Sequence, residues 1–169
     1  PLYAMGVQGV FTKTIDAFLL SNKIDIAVHS LKDVPTQLAQ GIIQAAVLPR
    51  ASHKDLFVPH PNSKEFNPSK IATGSVRRKA VWLNKYPESV IENLRGNVQT
   101  RMRKLAESDW GGAIFAAAGL DRMEMRTSNV IELDWMLPAP AQGAVMVACR
   151  AGENDLFAHC QKFNNRATE

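Results

Sequence analysis

The sequence predicts an α/β protein of two lobes, each built on a mixed, mostly parallel sheet, with a cleft between the lobes. Three observations support this class: short apolar runs typical of buried strands, helical patterns that alternate with them, and two irregular segments that interrupt the alternation. We interpret these segments, 49–53 and 139–143, as crossovers. The outer segments, 1–48 and 144–163, then form one lobe, and 54–138 forms the other.

Composition favours an anionic ligand over a nucleic acid, a membrane or a metal. The 169 residues contain 20 Lys+Arg against 16 Asp+Glu, a formal charge of +4. Aromatic residues make up 7% and do not interleave with basic ones, and no apolar run reaches membrane-spanning length. Cys149, Cys160 and four scattered histidines form no metal-ligand spacing. We expect a cytoplasmic monomer, and the start at Pro1 without Met predicts a piece of a longer protein.

The first lobe opens with a glycine-rich segment, Gly6–Phe11, whose glycines leave room for a ligand near the following helix start. A helix follows that places Phe11, Ile15, Phe18 and Leu19 on one face and ends at Ser21–Asn22. Strands are predicted over 24–28, 42–48 and 144–149. The last predicted element is a helix over 153–163 with Leu156, Phe157 and Cys160 inward.

The stretch Asp25–Pro35 changes character within a few residues. A short β-branched run, typical of a strand covered on both faces, is followed directly by Ser30, Lys32 and Asp33. Ligands of open α/β sheets bind beyond the carboxyl ends of strands, which makes Lys32 and Asp33 candidates for a site. The alternative is a surface salt bridge on a loop.

The second lobe repeats the order strand, glycine turn, helix three times. The composition turns polar from residue 51, and we interpret 61–68 as an exposed excursion or a loop around short strands. The first repeat is a strand over 70–73 and a helix over 76–85 capped by Ser75, and the second is a strand over 90–94 and a helix capped by Asn97 that buries Val98, Met102 and Leu105. A strand over 113–117 precedes Gly119–Arg122, and 129–133 is a weaker candidate strand.

Arginines recur at these turns. Arg77 and Arg78 follow the first turn, Arg95 and Arg101 flank the second, and Arg122 follows the third. Guanidinium groups bind carboxylates through paired hydrogen bonds, and helix amino ends add partial positive charge, so a ligand with many carboxylates suits this pattern. The alternative is that the arginines solubilise helix surfaces, the role that we assign to Arg103, Lys104 and Arg126.

Five segments together resemble the hydroxymethylbilane synthase family, also called porphobilinogen deaminase. They are Asp25–Pro35, Ala72–Arg78, Asn93–Arg101, Ala118–Arg122 and Pro140–Ala144. The resemblance implies a two-lobed fold like that of type II periplasmic binding proteins, and the condensation of four porphobilinogens to hydroxymethylbilane with release of ammonia. It also implies a dipyrromethane cofactor attached to a cysteine of a third domain beyond Glu169, and a first strand and helix before Pro1.

The same resemblance implies a role for each matching residue. Asp33 and Lys32 match catalytic positions. The positions implied to bind the cofactor are Ser30, Lys32, Asp33, Thr73, Ser75, Arg77 and Arg78, and those implied to bind porphobilinogen and the growing polypyrrole are Phe11, Arg95, Gly96, Asn97, Arg101, Arg122 and Gln142. Two positions depart from the family pattern, Gly74 where the family has serine and Gln8 where it often has lysine. Neither Cys149 nor Cys160 matches the attachment cysteine.

Two other functions stay open at this point. A non-catalytic, two-lobed binding module for a polycarboxylate anion has the same architecture, and the chain can also be an inactive fragment of the enzyme. The Lys32–Asp33 pair distinguishes the binding module from the enzyme, because a carboxylate beside the cations repels an anionic ligand.

Overall fold

The computed structural model describes residues 12–63 and 65–169 and divides them into two compact units. Unit 1 comprises residues 12–51 and 140–169, and unit 2 comprises residues 52–139. The glycine-rich segment and Phe11 lie outside the described residues, as does Gln8.

Five helices and eight strands make up the described chain. The helices are α1 (Lys13–Leu20), α2 (Val76–Lys85), α3 (Val98–Ala106), α4 (Ala117–Arg122) and α5 (Asn154–Gln161). The strands are β1 (Ile26–Ser30), β2 (Ile42–Val47), β3 (Asp55–Pro59), β4 (Lys70–Ala72), β5 (Val90–Glu92), β6 (Gly112–Ala116), β7 (Ile131–Glu132) and β8 (Val145–Arg150).

Unit 1 contains a sheet of order β1-β8-β2 in which both pairings are antiparallel. The prediction of a strand covered on both faces at 24–28 was wrong in detail. The strand begins two residues later, and it leaves Ile26 and Val28 41% and 57% exposed. The reason is its position at the edge of the described sheet, where Ala27 alone is buried on the inner face.

The two faces of β8 build the core of unit 1, because successive side chains of a strand point to opposite faces. Met146 and Ala148 pack with Leu19 of α1, while Val147 and Cys149 pack with Cys160 of α5. The predicted inward face of α5 is confirmed, since Leu156 and Phe157 pack against the same cluster as Cys160. On α1 the prediction holds for Leu19 and Ile15, but Phe18 is 43% exposed.

Unit 2 contains a sheet of order β5-β4-β6-β3-β7. Strand β4 pairs parallel with β5 and β6, and β3 pairs antiparallel with β6 and β7. The sheet of unit 2 is therefore mixed as predicted, but the described sheet of unit 1 is antiparallel, and four of the six pairings among the described strands are antiparallel. A parallel neighbour needs a crossover connection, usually a helix, and neither β3 nor β8 directly follows a helix in the chain.

The sequence did not predict strand β3, which lies in the stretch that turns polar from residue 51. Strand β3 lies inside the sheet and all five of its residues are buried. Leu56 and Val58 face one apolar cluster, and Phe57 faces the other, where it stacks on Trp82 of α2. The polar residues on both sides of this short run hid it in the sequence.

Candidate functional site

The first two strand–turn–helix junctions of unit 2 form as predicted, but the third does not, because α4 begins directly after β6 and Gly119 lies inside that helix. Ser75 caps α2, where its Oγ accepts a hydrogen bond from the Arg78 backbone N–H at 3.4 Å, and Asn97 caps α3 by accepting from the Thr100 N–H at 2.8 Å. Thr73 is buried, and its Oγ1 accepts from the backbone N–H of Ser75 at 3.2 Å. These short-range bonds satisfy helix donors that have no partner inside the helix.

Parallel pairing of β4 with β5 brings the first two junctions into contact. The Thr73 backbone N–H donates to the Glu92 carbonyl at 3.0 Å. A Cβ atom at Gly74 is too close to the Leu94 carbonyl oxygen for van der Waals contact, so the backbone itself requires glycine here. In this backbone the side chain of a serine at position 74 would collide with the Leu94 carbonyl oxygen, so the departure from the family's serine fits the local packing.

Arg77 and Arg78, both predicted to bind the cofactor, pair with one buried carboxylate. Asp55, the first residue of β3, is 0% exposed and accepts from Arg78 Nη2 at 2.7 Å, from Arg78 Nε at 3.1 Å and from Arg77 Nη2 at 2.7 Å. Arg78 is buried and also donates to the Ile114 carbonyl, while Arg77 stays 24% exposed and donates to the Leu137 carbonyl. The two cations are therefore partly neutralised inside the unit.

Arg95 and Arg101 differ from that pair. Among the described residues, neither has a carboxylate within ion-pair distance, and the Arg101 Nε donates to the Gly96 carbonyl at 2.7 Å. Burial lowers the pKa of Arg101, and the neighbouring charges of Arg78 and Arg95 lower it further. This junction therefore concentrates positive charge that an anion can balance.

The remaining predicted residues of unit 2 lie at the start of α3 and at the end of α4. Gly96 has φ +118°, a conformation that favours glycine, and it provides the carbonyl that Arg101 contacts. Asn97 uses its side-chain oxygen as the cap of α3. Arg122 is the last residue of α4, which follows β6 in the chain, and its side chain is exposed.

In unit 1, Lys32 and Asp33 form a short 3₁₀ turn, Leu31–Asp33, directly after β1, and both side chains are exposed. Ser30, the last residue of β1, is exposed as well. Lys32 lines an open groove of about 470 Å³. Gln142 is 1% exposed, and its carbonyl accepts from Arg50 Nε at 3.0 Å.

Neither thiol suits a covalent attachment site. Cys149 and Cys160 are both buried, and burial raises the pKa of the Cys149 thiol. In the described ranges, no group of three or more histidine, cysteine, aspartate or glutamate side chains is placed to hold a metal ion. No helix in the part of the chain that the structure describes combines the length and apolar character needed to cross a membrane.

Sequence reasoning missed Asp55. The signal that could have found it is an acidic residue at the start of the apolar run 55–59, since a charge there needs a partner once the run is buried as a strand. The adjacent pair Arg77–Arg78, at the start of α2, supplies that partner.

Comparison with known proteins identifies relatives of the whole chain. The family model described as "Porphobilinogen deaminase, dipyromethane cofactor binding domain" matches residues 1–158. Chloroplastic porphobilinogen deaminases of Oryza sativa subsp. japonica and Pisum sativum are each 43% identical over 99% of this chain, which covers 48% and 47% of their lengths. Porphobilinogen deaminase of Francisella tularensis subsp. tularensis (strain WY96-3418) is 43% identical over 98% of this chain and 57% of its own length. The chain thus spans about half the length of these curated relatives.

Solved structures show the fold. The VFT2 domain of Bordetella pertussis BvgS, as a double mutant, superposes with a TM-score of 0.52 at 13% identity over 89% of this chain and 65% of that domain. Full-length CbnR superposes with a TM-score of 0.52 at 13% identity over 90% of this chain and 55% of that one. The predicted type II periplasmic-binding-protein-like class is confirmed. Because the family model matches nearly the whole sequence, this chain belongs to the porphobilinogen deaminase family.

Proposed function

We propose that this chain is the part of a hydroxymethylbilane synthase that binds the dipyrromethane cofactor and the acidic pyrroles of the reaction. In each of four condensations, ammonia leaves the aminomethyl carbon of one porphobilinogen. A carbon–carbon bond then forms from that carbon to a pyrrole carbon, which loses its proton. The observation that carries the proposal is the cation cluster of Arg95 and Arg101, which no carboxylate balances among the described residues.

The donors of unit 2 fit a dipyrromethane. Each pyrrole ring of the family's ligands carries two carboxylates, so two linked rings present four. Arg95, Arg101 and the exposed part of Arg77 supply cations, and Thr73 and Ser75 supply hydroxyls beside a capped helix. When bound, the cofactor offers a nucleophilic pyrrole carbon from which the chain grows. Since both thiols here are buried, we propose that the attachment cysteine belongs to a third domain of the complete protein.

Asp33 is the proposed catalytic carboxylate. Departure of ammonia from porphobilinogen leaves positive charge on the pyrrole, and an ionised carboxylate stabilises that charge as it develops. Asp33 is exposed and makes no hydrogen bond or ion pair with the other residues described, so it is available to a substrate. Lys32 beside it offers a cation to a substrate carboxylate. An anion-binding module has no use for a carboxylate at this position, which favours the enzyme over that alternative.

The replacement of Asp33 by asparagine in the complete protein tests the proposal. Asparagine keeps the shape but loses the charge, so turnover of porphobilinogen falls on the order of a hundredfold or more, about 2.7 kcal/mol of transition-state stabilisation. The melting temperature stays unchanged because the side chain is exposed. Asp25→Asn, at an 82% exposed carboxylate of the same unit, is the matched control and keeps parental turnover. Near-parental turnover of Asp33→Asn would make the polycarboxylate-binding module the better hypothesis.

We further propose that the complete protein is a cytoplasmic monomer that acts on porphobilinogen and the growing polypyrrole without nucleic-acid or membrane partners. The modest charge of +4 and the sparse aromatic residues support this setting. We also propose that segments 49–53 and 139–143 act as the crossovers between its first two domains. Residues 1–169 alone are proposed to lack turnover, because neither cysteine can carry the cofactor.

A further inference from the structure

Asp55 has no role in the chemistry described above, but it is fully buried and forms ion pairs with both arginines of the α2 junction, Arg77 and Arg78. It lies at the start of β3, opposite Ala116 of β6, in a strand that is paired on both sides. Burial by itself raises the pKa of Asp55, but Arg78 and Arg77 outweigh it and hold the pKa below its ordinary value of 3.8. The carboxylate is therefore ionised at neutral pH.

The two arginines use this carboxylate differently. Arg78 is buried and donates to Oδ1 through both Nε and Nη2, at 3.1 and 2.7 Å, which holds that oxygen in place. Arg77 reaches Oδ2 from the solvent side at 2.7 Å, and its other terminal nitrogen donates to the Leu137 carbonyl. Two fixed acceptors thus hold the guanidinium of Arg77 in one orientation while part of its side chain stays exposed.

We propose that Asp55 is a positioning residue that acts through Arg77, by holding its guanidinium in the orientation in which it binds a ligand carboxylate. The inference rests on the proposed function, since it assigns Arg77 to carboxylate binding. A long side chain that is already immobilised loses less conformational entropy when the ligand binds. A planar guanidinium also forms its paired hydrogen bonds to a carboxylate best when its orientation is fixed.

A positioning role and a purely electrostatic role predict opposite signs. Replacement of Asp55 by asparagine removes a negative charge from a cation cluster, so by charge alone it strengthens the binding of an anion. Loss of the orientation of Arg77 weakens the binding instead. A role in stability alone changes the melting temperature and leaves the affinity of the folded protein unchanged.

The test is calorimetric titration with citrate, a tricarboxylate probe, of the complete protein prepared without its covalent cofactor so that Arg77 is accessible, at a temperature at which circular dichroism shows every variant folded. The variants are Asp55→Asn, Arg77→Gln and the double variant, with Asp109→Asn as control. Asp109 carries the same charge change and pairs with Lys70 at 2.8 Å, at the amino end of β4 rather than at the arginine junction. Intact mass of the freshly purified variants reports the covalent cofactor load as a second readout.

Asp55→Asn is expected to weaken citrate binding about tenfold to 150-fold, the range of one charged hydrogen bond, and to lower the cofactor load, while Asp109→Asn changes neither. The double variant binds like Arg77→Gln alone, because Asp55 acts through that residue. Unchanged or tighter binding by Asp55→Asn, additive losses in the double variant, or a parental protein that does not bind citrate would each overturn the proposal.

Arg77→Lys keeps the proposal testable if Asp55→Asn does not fold. Lysine retains the charge at a partly exposed position but cannot contact Asp55 and the Leu137 carbonyl with one planar group. Its affinity for citrate is expected to fall nearly to that of Arg77→Gln, and parental affinity would contradict the inference. Turnover of porphobilinogen is measured separately: a protein that binds citrate as expected but does not turn over porphobilinogen sinks the proposed function and leaves the role of Asp55 standing.

Discussion

We expect Arg101 to serve ligand binding rather than the stability of the fold. Its replacement by glutamine should therefore affect binding far more than stability. Its guanidinium is half-buried, and its pKa is lowered first by burial and then by Arg78 and Arg95. Without ligand this charge is unfavourable. Glutamine removes that cost but also loses the hydrogen bond from Nε to the Gly96 carbonyl, and because the two effects oppose each other the free energy of unfolding should change by less than about 1 kcal/mol.

Binding should fall sharply in the same variant. A charged, paired hydrogen bond to a carboxylate contributes about 1.5 to 3 kcal/mol, which corresponds to a loss of roughly tenfold to 150-fold in affinity. Citrate titration and the KM for porphobilinogen of the complete protein measure the loss, and thermal unfolding measures the stability. Arg103→Gln, an exposed arginine two residues further along α3, is the control and should change neither quantity. Parental affinity of Arg101→Gln, or destabilisation of about 3 kcal/mol, would show that Arg101 serves the fold.

Two further predictions concern the backbone of the junctions and the thiols. Gly74→Ala should destabilise the protein by about 1 to 3 kcal/mol in thermal unfolding, because the added Cβ collides with the backbone before α3, whereas Gly119→Ala meets only a 3.9 Å contact and should be neutral or stabilising. Equal effects would mean that the junction adapts to a side chain. Cys149 and Cys160 should resist alkylation by iodoacetamide at pH 8 until the protein is unfolded, because both are buried and the pKa of Cys149 is raised. Mass spectrometry follows the alkylation, and rapid alkylation of the folded protein would contradict their structural role.

The features that the sequence predicts well are those governed by neighbours in the chain. The bounds of α2 and the caps at Ser75 and Asn97 depend on hydrogen bonds between residues three positions apart, and they occur where the pattern places them. The apolar face of α5 likewise follows from the spacing of side chains along one helix.

The features that the sequence does not predict depend on which strands become neighbours. Strand β3 is only five residues long and lies between polar segments, so its burial follows from its place between β6 and β7 rather than from its own composition. The same holds for β1, where Ile26 and Val28 match a buried strand in sequence but lie at the edge of the described sheet. The local pattern of apolar residues does not show whether a strand lies at the edge or in the centre of its sheet.

Long-range pairing also divides the arginines into two kinds. In sequence, Arg77 and Arg78 stand at a helix start in the same way as Arg95 and Arg101 stand around the next, and nothing local tells the pairs apart. The placement of Asp55 in the middle of the sheet makes the difference, because it gives the first pair a fixed anionic partner and leaves the second without one in the described chain. Affinity for a carboxylate should therefore depend most on the charge at the α3 junction, and orientation of the ligand on the geometry at the α2 junction. If this division is right, raised ionic strength should weaken citrate binding in Asp55→Asn at least as steeply as in the parental protein, because that variant keeps every cation and loses one negative charge, but less steeply in Arg101→Gln.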